Sequence, residues 1–367
     1  MFIWELKDWP NLTWQQHELV RTIAHARHEQ GRLLGRMEAL GFDLQTEAVL
    51  ETLIQDVLKS SEIEGEQLDA GQVRSSIARR LGLDIAGLPA ADRDVEGVVE
   101  MMLDATRDFD APLTDERLFA WHAALFPTGR SGMTKIRVGR WRDDAKGPMQ
   151  VVSGAVGREH VHYRAPPATH VPKEMAAFLD WFNGDKETEP LLIAAKAHLW
   201  FVTIHPFEDG NGRIARAVAD LALARSEHSD KRFYSMSAQI RLQRKDYYDI
   251  LERTQKASLD VTPWMAWFLE CFTRAIESSR NTLASVTHKA AFWERHAGEP
   301  FNERQTKVLN RLLDGFDGKM TTSRWASIAR CSQDTAHRDI LELIDRGILE
   351  KGRSRGRSTS YSLVAGG

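Results

Sequence analysis

The sequence predicts a mainly α-helical protein with one β-hairpin near its middle and a small α+β domain at its end. Three observations predict this class. Apolar residues recur at helical spacing through most of the 367 residues. That periodicity stops between Lys135 and Pro167, where β-prone residues alternate with glycines. After Lys289, three helical patterns are followed by two short β-prone runs.

Composition and charge narrow the class of protein. The chain has 42% hydrophobic and 28% charged residues, as soluble globular proteins do. Its formal net charge of −3 gives no chain-wide attraction to nucleic acid or to a membrane. Cys271 and Cys331 lie in apolar patterns, which indicates buried thiols in a reducing compartment. We find no signal-peptide pattern and no membrane-spanning run, and therefore expect a cytoplasmic protein with no membrane partner.

The first residues are rich in tryptophan, at positions 4, 9 and 14. Tryptophan rings bury a large area, so we expect an arm that packs on the body of the protein, with a ligand-binding aromatic cluster as the alternative. Thr13 is expected to cap a helix that ends near Leu40, because Gly41 follows. Further helices are expected at residues 67–81, 91–107, 116–126, 172–182, 241–254 and 262–282.

A helix with an apolar stripe from Val49 to Leu58 runs into Ser-Ser-Glu-Ile-Glu-Gly at residues 60–65. Gly65 is a natural end for this helix. Glu62 and Glu64 then fall in its last turn, where the helix dipole disfavours negative charge. An acid in that place indicates a cationic partner elsewhere in the chain.

The most informative segment is His-Pro-Phe-Glu-Asp-Gly-Asn-Gly-Arg-Ile-Ala-Arg, at residues 205–216. Helical patterns precede it at residues 191–204 and follow it at residues 217–224. Pro206 and the Gly-Asn-Gly at residues 210–212 predict a tight loop between two helices.

Several side chains of this loop are suited to phosphate chemistry. The backbone N–H groups of residues 210–212 lie at the start of a helix, where anions bind. Arg213 and Arg216 share a helix face, and arginine forks fit phosphate oxygens. Asp209 supplies the kind of oxygen that Mg²⁺ takes beside phosphates, and His205 has the pKa of a general base.

Each of these features alone is more often structural, since His-Pro often ends a helix and Gly-Asn-Gly often forms a turn. Together they resemble the Fic-family motif H-x-F-x-[DE]-G-N-G-R-x-x-R at every defined position. That family is all-helical and mostly transfers AMP from ATP to a hydroxyl of a target protein. The resemblance implies a general base at His205, a core side chain at Phe207, a Mg²⁺ ligand at Asp209, an anion hole at Gly210, Asn211 and Gly212, and distal-phosphate ligands at Arg213 and Arg216.

The resemblance extends to residues 60–65, which fit [ST]-x-x-x-E-[GN], the inhibitory motif of Fic proteins. In the class whose inhibitory helix is N-terminal (class II), the glutamate pairs with the second arginine of the motif. The resemblance implies that Glu64 pairs with Arg216 and that Ser60 helps to hold the helix end. ATP would then bind with its α-phosphate misplaced for attack by the hydroxyl. The alternative is that Glu64 is a solvated acid at a helix end.

The hairpin region also resembles a Fic element. Residues 140–142 and 148–154 are similar to the Fic flap, which holds a segment of the target protein as an added strand. We therefore expect the target between Val151 and Tyr163, with Gly154 and Gly157 in the turn; an ordinary long loop is the alternative. Family members close over the adenosine at the positions of Tyr247 and Tyr248, with Gln255 nearby, although a tyrosine pair on a helix also fits a core.

The end of the chain resembles a winged helix-turn-helix, with helices at residues 301–316 and 322–329 and a third that Ser332 begins and Gly347 ends. Residues 348–351 and 358–363 would form the wing. DNA is one expected partner, because groove-reading helices and basic wings contact it, and protein docking and dimerisation are the alternatives. The residues that would face DNA are Gln333, Thr335, His337, Arg338, Lys351, Arg353, Arg355 and Arg357.

These observations divide the chain into an N-terminal helical region with the inhibitory helix (1–110), a Fic catalytic core (111–290) and a winged helix (291–367). The predicted function is an autoinhibited protein adenylyltransferase that uses ATP and Mg²⁺ to modify a Ser, Thr or Tyr of a target or of itself. Removal of AMP and transfer of another phosphate-containing group are alternatives, although Gly210 and Gly212 favour diphosphate binding. A third alternative is a DNA-binding regulator that senses a nucleotide. The presence of His205 disfavours it, because sensing needs no general base.

Overall fold

The computed structural model describes residues 1–83, 88–145, 147–154, 158, 160–313, 318–352 and 359–364. They form two compact units. The first comprises Met1–Gly41 and Val49–Ser279, and the second Phe42–Ala48 and Arg280–Gly367. The chain is mainly helical, as the sequence predicts. Within the described ranges, no helix combines the length and apolar character needed to cross a membrane.

Helices make up most of the first unit, and two of them, α2 and α11, extend into the second. Several begin where a side chain caps the free N–H groups of the first turn. Asp69 accepts from the backbone N–H of Gln72, and Thr114 accepts from that of Arg117. The helices are α1 (Gln16–Glu38), α2 (Phe42–Ile63), α3 (Ala70–Arg80), α4 (Arg93–Arg107), α5 (Asp115–Leu125), α6 (Val171–Gly184), α7 (Pro190–Ile204), α8 (Asn211–Glu227), α9 (Met236–Leu242), α10 (Arg244–Gln255) and α11 (Thr262–Arg295).

The centre of the first unit is the pair α7 and α8, which pack along each other. Alanines on both helices are buried, and their small side chains let the two backbones come close. Helix α6 packs on α7, and helices α4 and α5 pack on α8. Because the loop between α7 and α8 carries residues 205–210, this packing fixes both ends of the predicted motif. The buried alanines are Ala194, Ala195, Ala197, Ala215, Ala217 and Ala219.

The expected N-terminal arm is confirmed by its contacts. The indole N–H of Trp4 donates to the backbone carbonyl of Arg164 at 2.8 Å, and that of Trp9 donates to Glu174 at 2.8 Å. The expectation that Thr13 caps α1 is wrong, because α1 begins after Gln15. Thr13 instead pairs with the loop before α11, donating its N–H to the carbonyl of Leu259 at 2.8 Å.

Two further helix boundaries differ from the prediction. The structure has two helices where the sequence predicted one over residues 241–254. Gln243, with φ −108° and ψ 29°, separates α9 from α10. The helix expected to end at residue 282 continues to Arg295. Its apolar face continues through the buried Val286 and Phe292, so packing extends a helix that the local sequence suggested would stop.

The strands of the first unit form two small antiparallel sheets. Strands β1 (Arg130–Ser131) and β2 (Thr134–Lys135) make a short hairpin that the sequence did not predict. Strands β3 (Gln150–Ser153) and β4 (His160–Arg164) form the predicted hairpin, in which Ser153 lies opposite His160. Gly157, expected in its turn, lies outside the described residues.

The second unit contains the elements predicted for the end of the chain, in the predicted order. They are α12 (Glu303–Leu313), α13 (Thr322–Ala329), α14 (Gln333–Asp345), and the antiparallel strands β5 (Leu349–Lys351) and β6 (Tyr361–Leu363). Trp325, Ile340 and Leu343 are fully buried in its core. Gln333, His337 and Arg338 are exposed, as expected, and Thr335 is half-buried. Arg353, Arg355 and Arg357 lie outside the described residues, and the winged-helix identity stays a prediction.

Candidate active site

The loop between α7 and α8 begins and ends with a left-handed residue. His205, at the end of α7, has φ 53° and ψ 58°, and Gly210, at the start of α8, has φ 78°. A left-handed residue with a side chain costs about 1–2 kcal/mol, so neighbouring contacts must hold it. Arg142 does so: its Nε donates to the carbonyl of His205 at 2.8 Å, and its backbone N–H donates to that of Pro206 at 2.9 Å.

Asn211 closes the loop from inside. Its side-chain oxygen accepts from the backbone N–H of Phe207 at 3.0 Å, and its side-chain nitrogen donates to the carbonyl of Phe207 at 2.9 Å. Phe207 is fully buried, as the motif implied, and stacks on the ring of His122 at 4.2 Å. The asparagine side chain therefore shapes the loop, while its backbone N–H lies at the start of α8, where an anion can bind.

The imidazole of His205 is arranged as a base. Its Nδ1 donates to the carbonyl of Val202 at 3.3 Å, which leaves the lone pair of Nε2 free. Burial lowers the pKa of His205 to about 4, and the contact with Val202 and the negative charges of Asp209 and Glu64 oppose that shift only in part. The ring is thus neutral at pH 7 and can accept a proton.

Asp209 is held at the start of α8 by three neighbours. One carboxylate oxygen accepts from the N–H of Gly210 at 2.6 Å, and the other accepts from the hydroxyl of Ser131. His122 contacts the carbonyl of Asp209 through Nε2 at 3.2 Å, while Gly139 donates to its Nδ1 at 3.2 Å. Because Nδ1 accepts, Nε2 is the donor to Asp209.

Arg216 is a buried cation with several partners at the end of α2. Its side chain is 1% exposed. Nε donates to the hydroxyl of Ser60 at 2.9 Å and Nη2 donates to the carbonyl of Ser60 at 2.9 Å. Nη1 lies 2.8 Å from Oε1 of Glu64. The structure therefore brings together the three residues that the resemblance had paired.

The carboxylate of Glu64 also lies against the start of α8. A Cβ added at Gly212 would overlap Oε1 of Glu64, so only glycine leaves room for this approach. Glu64 thus places a negative charge where the free N–H groups and the positive end of the helix dipole attract an anion.

A second acid pairs with the other arginine of the motif, which sequence reasoning missed. Oε2 of Glu66 accepts from Nη1 of Arg213 at 2.6 Å, and Arg213 is 3% exposed. Burial raises the pKa of Glu66, while the charge of Arg213 opposes that shift. Gly65, with φ 88°, turns the chain between the two acids. Acids occupy positions 62, 64 and 66 in the sequence, and this alternation could have indicated that Glu66 also pairs with a cation.

The predicted adenosine residues lie on α10. Tyr247 is 2% exposed, and its hydroxyl lies 2.8 Å from Nε2 of His198. Tyr248 is 37% exposed, and its hydroxyl lies 3.4 Å from the carbonyl of Ile63, beside Glu64. Burial first, and then the charge of Glu64, raises the pKa of Tyr248. Gln255 is buried and donates to Thr203 at 3.3 Å, so its contact with a nucleotide stays a prediction.

Comparison with known proteins shows which proteins this site is similar to. Residues 112–223, which include the whole loop, match the Fic/DOC family. The chain carries a Fic/DOC domain. Residues 2–83, which include Ser60 and Glu64, match a domain of unknown function (DUF4172). Glu64 and Glu66 therefore lie outside the residues that match the Fic/DOC family, and α10 lies beyond both matched regions.

Similar proteins support the same assignment. A "Protein adenylyltransferase Fic" of Nematostella vectensis is 27% identical over 253 residues, which cover 65% of this chain and 51% of the relative. That of Culex quinquefasciatus is 25% identical over 249 residues, which cover 65% of this chain and 44% of the relative. The chain thus spans about half the length of these relatives.

Solved structures show the fold. A Fic family protein from Desulfovibrio desulfuricans G20 has a TM-score of 0.53 and 24% identity, with 94% of this chain and 97% of that chain covered. A Fic domain containing signaling protein from Bacteroides thetaiotaomicron has a TM-score of 0.53 and 20% identity, with 71% and 97% covered. The first unit thus shares its helical architecture with Fic proteins.

Proposed function

We propose that this protein transfers AMP from ATP to a Ser, Thr or Tyr hydroxyl of a target protein or of itself. The observation that carries the proposal is the convergence of a neutral His205, a glycine-lined helix start and two buried arginines at one loop. Nε of Arg213 is a buried donor that finds no hydrogen-bond partner among the described residues, and it can donate to a phosphate oxygen.

The residues divide the reaction among them. Nε2 of His205 takes the proton of the incoming hydroxyl, whose oxygen then bonds to the α-phosphorus. The bond from that phosphorus to the bridging oxygen breaks, and pyrophosphate leaves. The backbone N–H groups of residues 210–212 hold the charge of the phosphate groups, and Arg213 and Arg216 bind the distal ones. Catalysis of this kind is mostly positioning and charge stabilisation.

The residues present fit Mg²⁺. Asp209 offers a carboxylate beside the phosphate site, and Mg²⁺ is commonly bound by one or two carboxylates together with substrate phosphates. Asp209 would hold the ion, which when bound neutralises part of the phosphate charge. The hydrogen bonds from Gly210 and Ser131 orient this carboxylate before any ion binds.

We propose that Glu64 inhibits this reaction. It pairs with Arg216, the cation that a distal phosphate of ATP needs. Its carboxylate also lies against Gly212, where a phosphate of ATP would bind, so Glu64 blocks both positions. Glu66 extends the inhibition by occupying Arg213. With both arginines paired, the distal phosphates lose their ligands and the α-phosphate is not placed for attack.

We propose that the β3–β4 hairpin is the flap that holds the target. Val151, Val152 and Val161 are 37%, 47% and 37% exposed, although valine is usually buried. Exposed apolar side chains on a two-stranded sheet suit an extended segment added as a third strand. DNA binding and dimerisation through the second unit stay predictions from the sequence.

The chemistry is tested with ATP labelled at the α-phosphate or at the γ-phosphate. The Glu64→Gly variant is incubated with each label and with a cell lysate, and labelled bands are counted. AMP transfer puts only the α-label on protein. Label from the γ-phosphate that His205→Ala abolishes would mean phosphoryl transfer by this protein, and no His205-dependent label from either position would contradict the proposal. The same preparation with His205→Ala added controls for non-enzymatic labelling.

A further inference from the structure

The flap hairpin carries a cluster of metal-binding side chains that the proposed reaction does not use. His160 and His162 both lie on β4, and the centroids of their rings are 4.6 Å apart. Glu252, on α10, faces them. One ligand atom from each residue lies within 4.8 Å of the other two.

The individual distances show which atoms meet. Nδ1 of His162 lies 2.6 Å from Oε2 of Glu252, and Nε2 of His160 lies 3.8 Å from Oε1. In a tetrahedral site with metal–ligand distances of about 2.0–2.1 Å, ligand atoms are roughly 3.3 Å apart. Side-chain shifts of about 1 Å would therefore close this cluster around an ion.

A fourth residue orients His162. The hydroxyl of Ser153, on β3, lies 2.6 Å from Nε2 of His162. Metal-bound histidines almost always donate their second ring N–H to an oxygen, which fixes the tautomer. When Ser153 accepts from Nε2, the lone pair of Nδ1 points at a carboxylate oxygen. Two acceptors at that distance need a cation between them, either a proton or a metal ion.

We propose that His160, His162 and Glu252 bind a divalent transition-metal ion of the Zn²⁺ type. Two imidazoles and one carboxylate are a common zinc ligand set, and a water completes the tetrahedron. Lys256 competes for this position, since its Nζ lies 2.5 Å from Oε1 of Glu252. The lysine side chain is 36% exposed, so it can turn into solvent when an ion binds.

The bound ion would fasten β4 of the hairpin to α10. That helix also carries Tyr247 and Tyr248, next to the end of the inhibitory helix. Metal binding would thus fix the position of the flap relative to the nucleotide site. This consequence rests on the proposed function, whereas metal binding does not, and so the two are tested separately.

The test is a calorimetric titration of Zn²⁺ into the full chain, purified without a histidine tag and freed of metal with EDTA. We expect one Zn²⁺ per chain for the parent. His162→Ala and Glu252→Gln remove ligands and should each weaken binding by more than about tenfold, and Ser153→Ala by about tenfold. His170→Ala is the matched control, because His170 is exposed and lies outside the cluster.

A second readout is thermal unfolding, in which Zn²⁺ should raise the Tm of the parent and of His170→Ala but not of His162→Ala. Circular dichroism establishes that each variant is folded. Absence of stoichiometric Zn²⁺ binding by the parent would overturn the proposal. Parent-like affinity in His162→Ala or in Glu252→Gln would overturn it too. Neither result depends on whether the protein transfers AMP.

Discussion

The loop at residues 205–211 and the segment at residues 60–66, which we propose is inhibitory, meet at the same two arginines, but different contacts hold them. The loop is closed by an internal bond from Asn211 to Phe207 and by a bond from Arg142, outside the loop, to His205. The acids of the inhibitory segment are held by ion pairs and remain 29% and 45% exposed at Glu64 and Glu66. The loop therefore keeps its shape without the acids.

This difference separates the proposed inhibition from the proposed catalysis. Contacts outside the arginines keep the end of α2 in place: Arg244 donates to the carbonyl of Ile63 at 2.8 Å, and Asp56 accepts from the N–H of Ser237 at 3.1 Å. The two glutamate side chains can then leave Arg213 and Arg216 while the helix stays bound. A phosphate can replace each carboxylate, since both are anions that accept from the same cation.

The largest effect is expected from the base. Adding His205→Ala to the Glu64→Gly variant should lower AMP transfer by about 10²- to 10⁴-fold, because a general base is lost. ATP affinity should change little, since the imidazole contacts the hydroxyl and not the phosphates. The control is His228→Ala, which alters the other histidine at a left-handed helix end. Equal labelling with and without His205 would exclude it as the base.

Breaking the loop should cost both activity and stability. Asn211→Ala leaves the backbone of Phe207 unpaired in a buried place, so we expect about 1–3 kcal/mol less stability and a large loss of transfer. Denaturant unfolding and labelling measure the two. Asn183→Ala is the matched control, because Asn183 bonds both backbone groups of Leu113 in the same way. Transfer should survive that control, and its survival in Asn211→Ala would mean the loop does not need its internal bond.

Removing the second acid should have a smaller effect. Glu66→Gln should raise transfer by at most about fivefold, because Glu66 is nearly half exposed and such ion pairs are weak. Added to Glu64→Gly, it should raise transfer further. Glu62→Gln is the control, since Glu62 pairs with Lys59 and Arg241 instead of the motif arginines. If Glu66→Gln and Glu62→Gln act alike, Glu66 has no inhibitory part.

The pH dependence of the Glu64→Gly variant should be flat from pH 8 to pH 5. His205 is neutral above its pKa, and burial holds that pKa at about 4, so the base is lost only as the pH falls through about 4. Glu64 raises this pKa, so its removal does not return the value toward 6.5. An acid limb centred near pH 6.5 in initial transfer rates would show that His205 titrates as a solvated histidine.

The sequence predicts contacts between residues that are close along the chain, but not contacts between residues that are far apart along it. The loop with His205 and Gly210 is one continuous segment, so its helix–turn–helix form and its chemistry follow from spacing. Glu64 and Arg216 were paired only through the resemblance to a family. Arg142 on His205 and Glu66 on Arg213 join residues more than 60 positions apart, and no local pattern reports such contacts.

Two predicted helix boundaries were wrong for a related reason. Thr13 has the chemistry of a helix cap, but a backbone pairing with Leu259 uses it instead. Gln243 has no breaking tendency, and yet it interrupts α9 and α10. At Thr13 a tertiary contact overrides a weak local preference, and at Gln243 the local sequence does not report the break.

The central claim is that Glu64 blocks the nucleotide site through Arg216. Initial rates of α-label transfer at saturating ATP and Mg²⁺ test it in the parent, Glu64→Gly and Glu62→Gly. We predict that Glu64→Gly exceeds the parent by at least about tenfold, as a shift toward an open site requires, and that Glu62→Gly does not. Arg216→Ala should stay inactive with or without Glu64. Equal rates for the parent and Glu64→Gly would contradict the account.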